Sequence, residues 1–253
     1  MLAMKEEVIG LVPAAGKGIR LSLPYPKELY PIIRDNRYKP VAQFVLDDLA
    51  GAGVEHVVFV INETKHQLIG YFGDGRRFGT HISYVVQEAN GLENQSTSPG
   101  LANALDSAFH LLQGKTVLFG MPDTIMSPCN VFGRLMAAAD KNDDAVLGLF
   151  PTGRPEKFGM VRLDGGDRVV EVIDKPRQTD LVDMWGCVMW RERFTTHLHD
   201  YVRCRKINDF ALILNEAIRS GFTIRGVRIP GGTYRDLGTY EEILELDHSL
   251  REL

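Results

Sequence analysis

Apolar residues in this chain follow two alternating rhythms. Short, nearly charge-free runs occur at Val8-Ile9-Gly10-Leu11-Val12, His56 to Asn62, Ile82 to Gln87, Thr116 to Gly120 and Ala145 to Phe150. Runs of this length, rich in β-branched residues, predict strands covered on both faces. Between them the spacing changes to i, i+3, i+4, i+7, as in Ala42, Val45, Leu46 and Leu49, and predicts helices over Val41–Ala50, Lys65–Phe72, Leu101–Leu112 and Val131–Ala139. Strand–helix–strand at such distances reads as parallel crossovers, so the expected class is α/β, with a mostly parallel sheet flanked by helices.

Beyond Pro151 the rhythm shifts. Phe158–Leu163, Arg168–Asp174 and Met184–Trp190 read as strands with only turns between them, which predicts a smaller, mainly antiparallel layer. Helices follow at Arg191–Tyr201 and Asn208–Ser220, then a strand Thr223–Ile229 and a closing helix that starts at Thr239, whose spacing to Glu242 is a capping box. The segment 88–100 is aperiodic and unusually long for a loop in a compact domain. With no repeat or linker, residues 1–253 are expected to form one domain with two lobes, 1–150 and 151–253.

Candidate chemistry gathers after the first strand. Between Pro13 and Pro40 lie six cations (Lys17, Arg20, Lys27, Arg34, Arg37, Lys39) and two anions (Glu28, Asp35), a balance of +4 in a chain of net charge −4. Gly16 and Gly18 allow backbone amides to face an anion, so the stretch suggests a polyanionic small ligand. It lacks the second Gly-Lys-Ser/Thr of a P-loop and the third glycine of a dinucleotide fingerprint, which weakens kinase, ATPase and dehydrogenase readings. Asp123, just past the carboxyl end of the Thr116–Gly120 strand, stands where open α/β sheets bind ligands and is the first metal candidate.

Composition adds exclusions. A chain 44% hydrophobic and 25% charged is ordinary for a globular protein, and no basic block points to nucleic acid. The opening MLAMKEEV resembles neither a leader nor a membrane span, which predicts a cytoplasmic protein. Cys129, Cys187 and Cys204 are odd in number and far apart, so reduced core thiols are expected rather than disulfides or zinc. His197 and His199 fall in a helical stretch on different faces, and Trp185 and Trp190 read as core or pocket wall.

Taken in order, the motifs resemble those of the sugar-1-phosphate nucleotidyltransferase family. The resemblance rests on Pro13-Ala14-Ala15-Gly16-Lys17-Gly18-Ile19-Arg20-Leu21 followed by Pro26-Lys27-Glu28-Leu29-Tyr30-Pro31. It continues through Gln87, Gly100-Leu101-Ala102, Pro122-Asp123-Thr124, Phe158-Gly159-Met160-Val161, Asp174-Lys175-Pro176, Gly186 and Tyr234-Arg235-Asp236-Leu237-Gly238-Thr239. It implies a Rossmann-like nucleotide lobe with a smaller sugar-binding lobe, an NTP and a sugar 1-phosphate as partners, Mg²⁺ as cofactor and a possible homo-oligomer. By the same resemblance, Ala14, Ala15, Gly16, Lys17 and Gly18 with Arg20 would hold the triphosphate, and Gln87 and Gly100 would read the base. Lys27 would neutralise the scissile bridge and Lys175 the sugar phosphate. Gly159, Asp174 and Gly186 would line the sugar pocket, and Asp123 and Asp236 would share the metal.

Three departures from the family pattern stand out. Ile19 replaces a small hydroxyl residue, Asp174 replaces the commoner glutamate before Lys-Pro, and Ala89–Ser98 lengthens the connection between Gln87 and Gly100. No appended C-terminal acetyltransferase domain is expected from the length. Thymine or uracil and glucose 1-phosphate are the favoured partners. A silent nucleotide-binding relative and a choline-phosphate-type cytidylyltransferase are the alternatives, the latter needing an aromatic box for which only Trp185 is suggestive.

Overall fold

The structure is a computed structural model that describes residues 7–18, 21, 23–34, 37–87 and 100–251. Ile19, Arg20 and the 89–98 segment lie outside the described residues. In chain order the strands are β1 (Val8–Pro13), β2 (Pro31–Arg34), β3 (Arg37–Pro40), β4 (His56–Ile61), β5 (His81–Val86), β6 (Thr116–Gly120), β7 (Thr124–Ser127), β8 (Ala145–Pro151), β9 (Gly159–Leu163), β10 (Val169–Asp174), β11 (Asp183–Trp190), β12 (Ile224–Arg228) and β13 (Thr233–Asp236). The helices are α1 (Val41–Gly51), α2 (His66–Phe72), α3 (Leu101–Ser107), α4 (Phe109–Leu112), α5 (Val131–Ala138), α6 (Glu192–Arg203), α7 (Phe210–Arg219) and α8 (Tyr240–Arg251).

β6, β1, β4 and β5 lie side by side in parallel, as the apolar runs predict. Every described residue of β6, and all but the first residue of β1 and β4, is buried, which is what a sheet covered on both faces requires. β12 runs parallel to β8 at the other side of the same sheet. The three strands expected in a separate antiparallel layer, β9, β10 and β11, instead belong to this same sheet, and β11 departs furthest. It lies antiparallel between β6 and β8 and so joins the two parallel halves. The antiparallel pair β9–β10 branches from the beginning of β11 at the Met184–Met160 contact. The architecture is therefore α/β, with a mostly parallel central sheet and small antiparallel additions.

Two apolar clusters pack on the opposite faces of this sheet. One holds Leu11, Phe119, Val188 and Trp190 under α3, α6 and α7, and the other holds Val12, Phe59, Leu118 and Phe150 under α1 and α5. The single helix expected over Leu101–Leu112 is broken at Ala108. Ser107 Oγ donates back to the Asn103 carbonyl at 2.8 Å, a bond that competes with helix continuation. The Thr239–Glu242 capping box forms as expected, with Thr239 N donating to Glu242 Oε2 at 2.9 Å and Glu242 N to Thr239 Oγ1 at 3.3 Å.

Two features had no clear periodic signal. The β2–β3 hairpin and the two-stranded β7–β13 sheet are too short to register as apolar runs. Of the three thiols, only Cys187 is in the core, and Cys129 and Cys204 are exposed, because they sit in turns beyond the ends of the buried elements. Among the described residues no helix is long and apolar enough to cross a membrane.

The loop after β1 is anchored by an ion pair buried almost completely. Lys27–Leu29 forms one 3₁₀ turn, and within it Glu28 (1% exposed) accepts from Lys65 Nζ (3% exposed) at 2.5 Å. Burial raises the Glu28 carboxyl and lowers the Lys65 ammonium, each opposed by the other's charge. Removing one partner of such a pair strands a charge in the interior. Lys65→Met should therefore cost about 3–5 kcal/mol in urea unfolding. The double variant Glu28→Gln/Lys65→Met should recover at least half of that loss, whereas equal losses in single and double variants would show that the pair is not the anchor.

Candidate active site

The carboxyl ends of β1, β4 and β6 define one rim of the sheet, and most of the expected residues gather there. β1 delivers the loop. Ala14 N donates to Val60 O at 2.7 Å, which takes that amide out of any phosphate cradle, and Ala15 O accepts from Asn62 Nδ2 at 2.8 Å. The chain then turns through Gly16 and Gly18, the latter with φ +64, and returns so that the Lys27 stem lies 3.8 Å from where a Gly18 Cβ would be. A cleft of about 250 Å³ beside this turn is lined by Lys17, Gly18, Lys27 and Lys65. It is a cationic recess of the kind a polyphosphate would need.

β6 delivers Asp123, which is 5% exposed and pairs through Oδ2 with Lys27 Nζ. Its Oδ1 is buried and has no hydrogen-bond partner among the described residues. Asp236 reaches the same place by a different route. β13 pairs with β7 so that Asp236 stands opposite Thr124, and Leu237 N donates to the Asp123 carbonyl at 2.9 Å. Two carboxylates far apart in sequence thus meet through a four-residue ladder.

The electrostatics bear out that proximity. Burial pulls the Lys27 ammonium down, but Asp123, Glu28 and Asp236 together hold it above the ordinary lysine range. Burial pushes the Tyr234 phenol well up, reinforced by the negative charges of Asp236 and Asp123. Lys65, Glu28, Lys27 and Asp123 therefore form a row of alternating charges running from the start of α2 to the end of β6. A hard cation fits the end of this row. Asp123 Oδ1 is an unpaired buried oxygen beside a second carboxylate, an oxygen donor set of the kind Mg²⁺ takes. Only two such side chains meet, since among the described residues no group of three or more His, Cys, Asp or Glu converges.

Gln87 and Gly100 flank the outer part of the rim. Gln87 N continues the β5 ladder to Ile61 O at 2.7 Å, and Gly100 opens α3 with φ +82, where a Cβ would stand 3.2 Å from the Asn208 carbonyl oxygen. On the other side, Asp174 ends β10 opposite Gly159. Lys175 follows with φ +45, an uncommon backbone for lysine, its side chain exposed and Nζ 3.9 Å from Asp174 Oδ2. Gly186 lies under the Tyr234 ring, which would be 2.5 Å from a Cβ there, so its first use is close packing.

Other charged features belong elsewhere. A recess of about 430 Å³ between Lys115, Asp144 and Arg193 opens at the opposite end of the sheet and contains none of the expected residues. His199 bonds Asp106 at 2.7 Å and stacks on Phe109, whereas His197 meets the Ile213 carbonyl, so the two histidines do not converge. Sequence reasoning missed Lys65 and Tyr234. Lys65 looks like any helix-start lysine until Glu28 is seen buried beside it, and only the Tyr-x-Asp alternation in β13 could have signalled Tyr234.

Known proteins resemble this chain in sequence and in fold. The chain is 27% identical to the glucose-1-phosphate thymidylyltransferase of Streptomyces antibioticus over 96% of its length and 66% of that protein. It is 29% identical to the mannose-1-phosphate guanylyltransferase of Mycobacterium tuberculosis over 73% of its length and 49% of that protein. It thus spans about half to two thirds of these relatives. A Bacillus anthracis crystal structure, nominally a glucose-1-phosphate thymidylyltransferase, superposes with a TM-score of 0.79 at 19% identity, covering 97% of this chain and 96% of that one, and shows the shared fold. The nucleotidyl transferase family matches residues 9–252, from the first buried strand to the last helix, and the chain belongs to that family.

Proposed function

We propose that the protein transfers a nucleoside monophosphate from an NTP to a sugar 1-phosphate, releasing pyrophosphate, with dTTP or UTP and glucose 1-phosphate as the favoured pair. The observation that carries this reading is the buried Asp123, bonded to Lys27 on one oxygen and, among the described residues, unpaired on the other, beside Asp236. A charge cluster of that kind serves no packing purpose and suits a ligand that brings phosphate and metal together.

The chemistry asks little of general bases. A sugar phosphate oxygen is already anionic, so in-line attack at the α-phosphorus needs alignment and charge neutralisation. In this reading the loop through Gly18 receives the triphosphate, and Lys27 lies against the bridge between the α- and β-phosphates. Lys175 then approaches the incoming phosphate from the β10 side, and Asp174 and Gly159 meet the sugar. Asp123 and Asp236 would hold Mg²⁺, which when bound supplies positive charge to the phosphate oxygens. Gln87 and Gly100 lie on the side where the base would rest. The sugar lobe is then the β9–β10 hairpin with the segment around β13, and the remainder serves the nucleotide.

The reading is tested by pyrophosphate release across four ribonucleoside triphosphates and dTTP, each paired with several sugar 1-phosphates and with phosphocholine. Turnover that requires one nucleotide and one sugar 1-phosphate is expected; turnover with CTP and phosphocholine alone, or with no pair, would overturn it. Asp123→Asn should reduce kcat by on the order of 10²–10³. The variant should still fold, though with a lowered thermal midpoint because Lys27 loses its charge partner, and a near-normal rate would remove the metal assignment.

A further inference from the structure

Among the buried polar atoms without a partner in the described residues is an indole donor that the proposed reaction does not use. The chain has two tryptophans. Trp190 is fully buried and its indole N–H donates to Thr195 Oγ1 at 2.9 Å. Trp185 Nε1 is equally shielded from solvent, yet no acceptor meets it among the described residues. Buried indole donors normally find partners, and leaving one unmade costs about 1–3 kcal/mol.

Strand register shows where that donor points. Met184 pairs with Met160, so the next antiparallel step sets Trp185 opposite Gly159, and Gly159 is in turn the partner of Asp174. Directly opposed residues share a face, which makes Asp174, Gly159 and Trp185 one row across β10, β9 and β11. Val161 and Val172, two positions along from Gly159 and Asp174, pack in the same apolar cluster as Trp185. Gly159 has no side chain, and the space a Cβ would take in the middle of the row is filled by the indole edge. Nε1 lies 2.2 Å from where that Cβ would stand. Phe119 and Phe210 fix the ring at centroid distances of 6.1 and 5.5 Å. What Trp185 offers there is therefore its N–H edge. Next in the row beyond Gly159 is Asp174, whose exposed side chain can accept a hydrogen bond.

We propose that Trp185 Nε1–H and the Asp174 carboxylate together read one hydroxyl of the sugar, whose oxygen accepts from the indole while its proton is donated to the carboxylate. The inference rests on the transferase reading and deepens it by adding a residue that determines specificity. Only a group that both accepts and donates satisfies the two partners, which selects a hydroxyl and rejects both a deoxy carbon and a quaternary ammonium. A cation would also need a ring face, and the edge is what faces Gly159.

The test uses Trp185→Phe, which keeps the packing against Phe119 and Phe210 but deletes the N–H. With the sugar 1-phosphate turned over best by wild type, the variant should raise its KM about tenfold, the loss of roughly 1.4 kcal/mol. KM for the nucleotide should be unchanged and kcat should fall no more than about twofold. Among monodeoxy analogues of that sugar, one should be penalised about tenfold by wild type and clearly less by the variant, which keeps only the Asp174 contact. Gly159→Ala, whose Cβ would displace the indole, should reproduce the KM effect with Trp185 intact. Sugar phosphate binding should change tryptophan emission in wild type but not in Trp185→Phe, where Trp190 alone remains. An unchanged KM for sugar phosphate, or an equal rise for the nucleotide, would overturn the assignment while leaving the transferase standing. Absence of turnover by wild type with every pair would overturn the transferase and this inference together.

Discussion

A positive charge held out of water needs negative neighbours, and this constraint organises the site. Lys27 keeps its proton because Asp123 touches it, and Glu28 and Asp236 add to the field. Each of those carboxylates then needs its own support. Glu28 finds it in Lys65, brought in by the turn before α2, while Asp123 has one oxygen satisfied and one waiting. The row is stable as a set and poor in parts, since the loss of any member leaves a neighbour buried and uncompensated. It follows that the loop after β1, β6 and the start of α2 are tied together by charge as well as by apolar packing.

The sheet places these charges without being shaped by them. β1, β4 and β6 are ordinary apolar strands whose carboxyl ends open on a shared rim, and the loops that leave them carry the chemistry. What closes the rim is smaller. Four residues of β13 laid against β7 bring Asp236 beside Asp123, and the Tyr234 ring, seated over Gly186, fixes that ladder to β11. A modest piece of secondary structure thus decides whether the two carboxylates meet.

The long strands and helices were legible because burial on both faces, or on one stripe, writes a period into the sequence, as in Val57–Ile61 or Phe210–Ala217. Lys27, Asp123 and Asp236 were legible for another reason, since they sit in short motifs at strand ends. Position in the sheet was not legible for β11. Its residues are apolar whether it forms a separate layer or fills the centre, and only pairing with β6 and β8 distinguishes the two. The Glu28–Lys65 pair was hidden too, because two charges 37 residues apart show no common pattern. The role of Trp185 could not be read from composition, because an indole that is bonded and one that is not have the same letter.

The central position of β11 also bears on the order in which the molecule can be assembled. A chain emerging from its amino end makes β1, β4, β5 and β6 early and can pair them at once. β8 comes next, yet it has no edge to join until residues 183–190 arrive, because β11 is what lies between it and β6. Until then the nascent sheet exposes the flank of β6, whose five residues are all apolar or small and end as buried as any in the protein. The last strand of the central joint is therefore also the one that retires an adhesive edge, and synthesis of this fold carries an interval of vulnerability set by the distance from β6 to β11 along the chain.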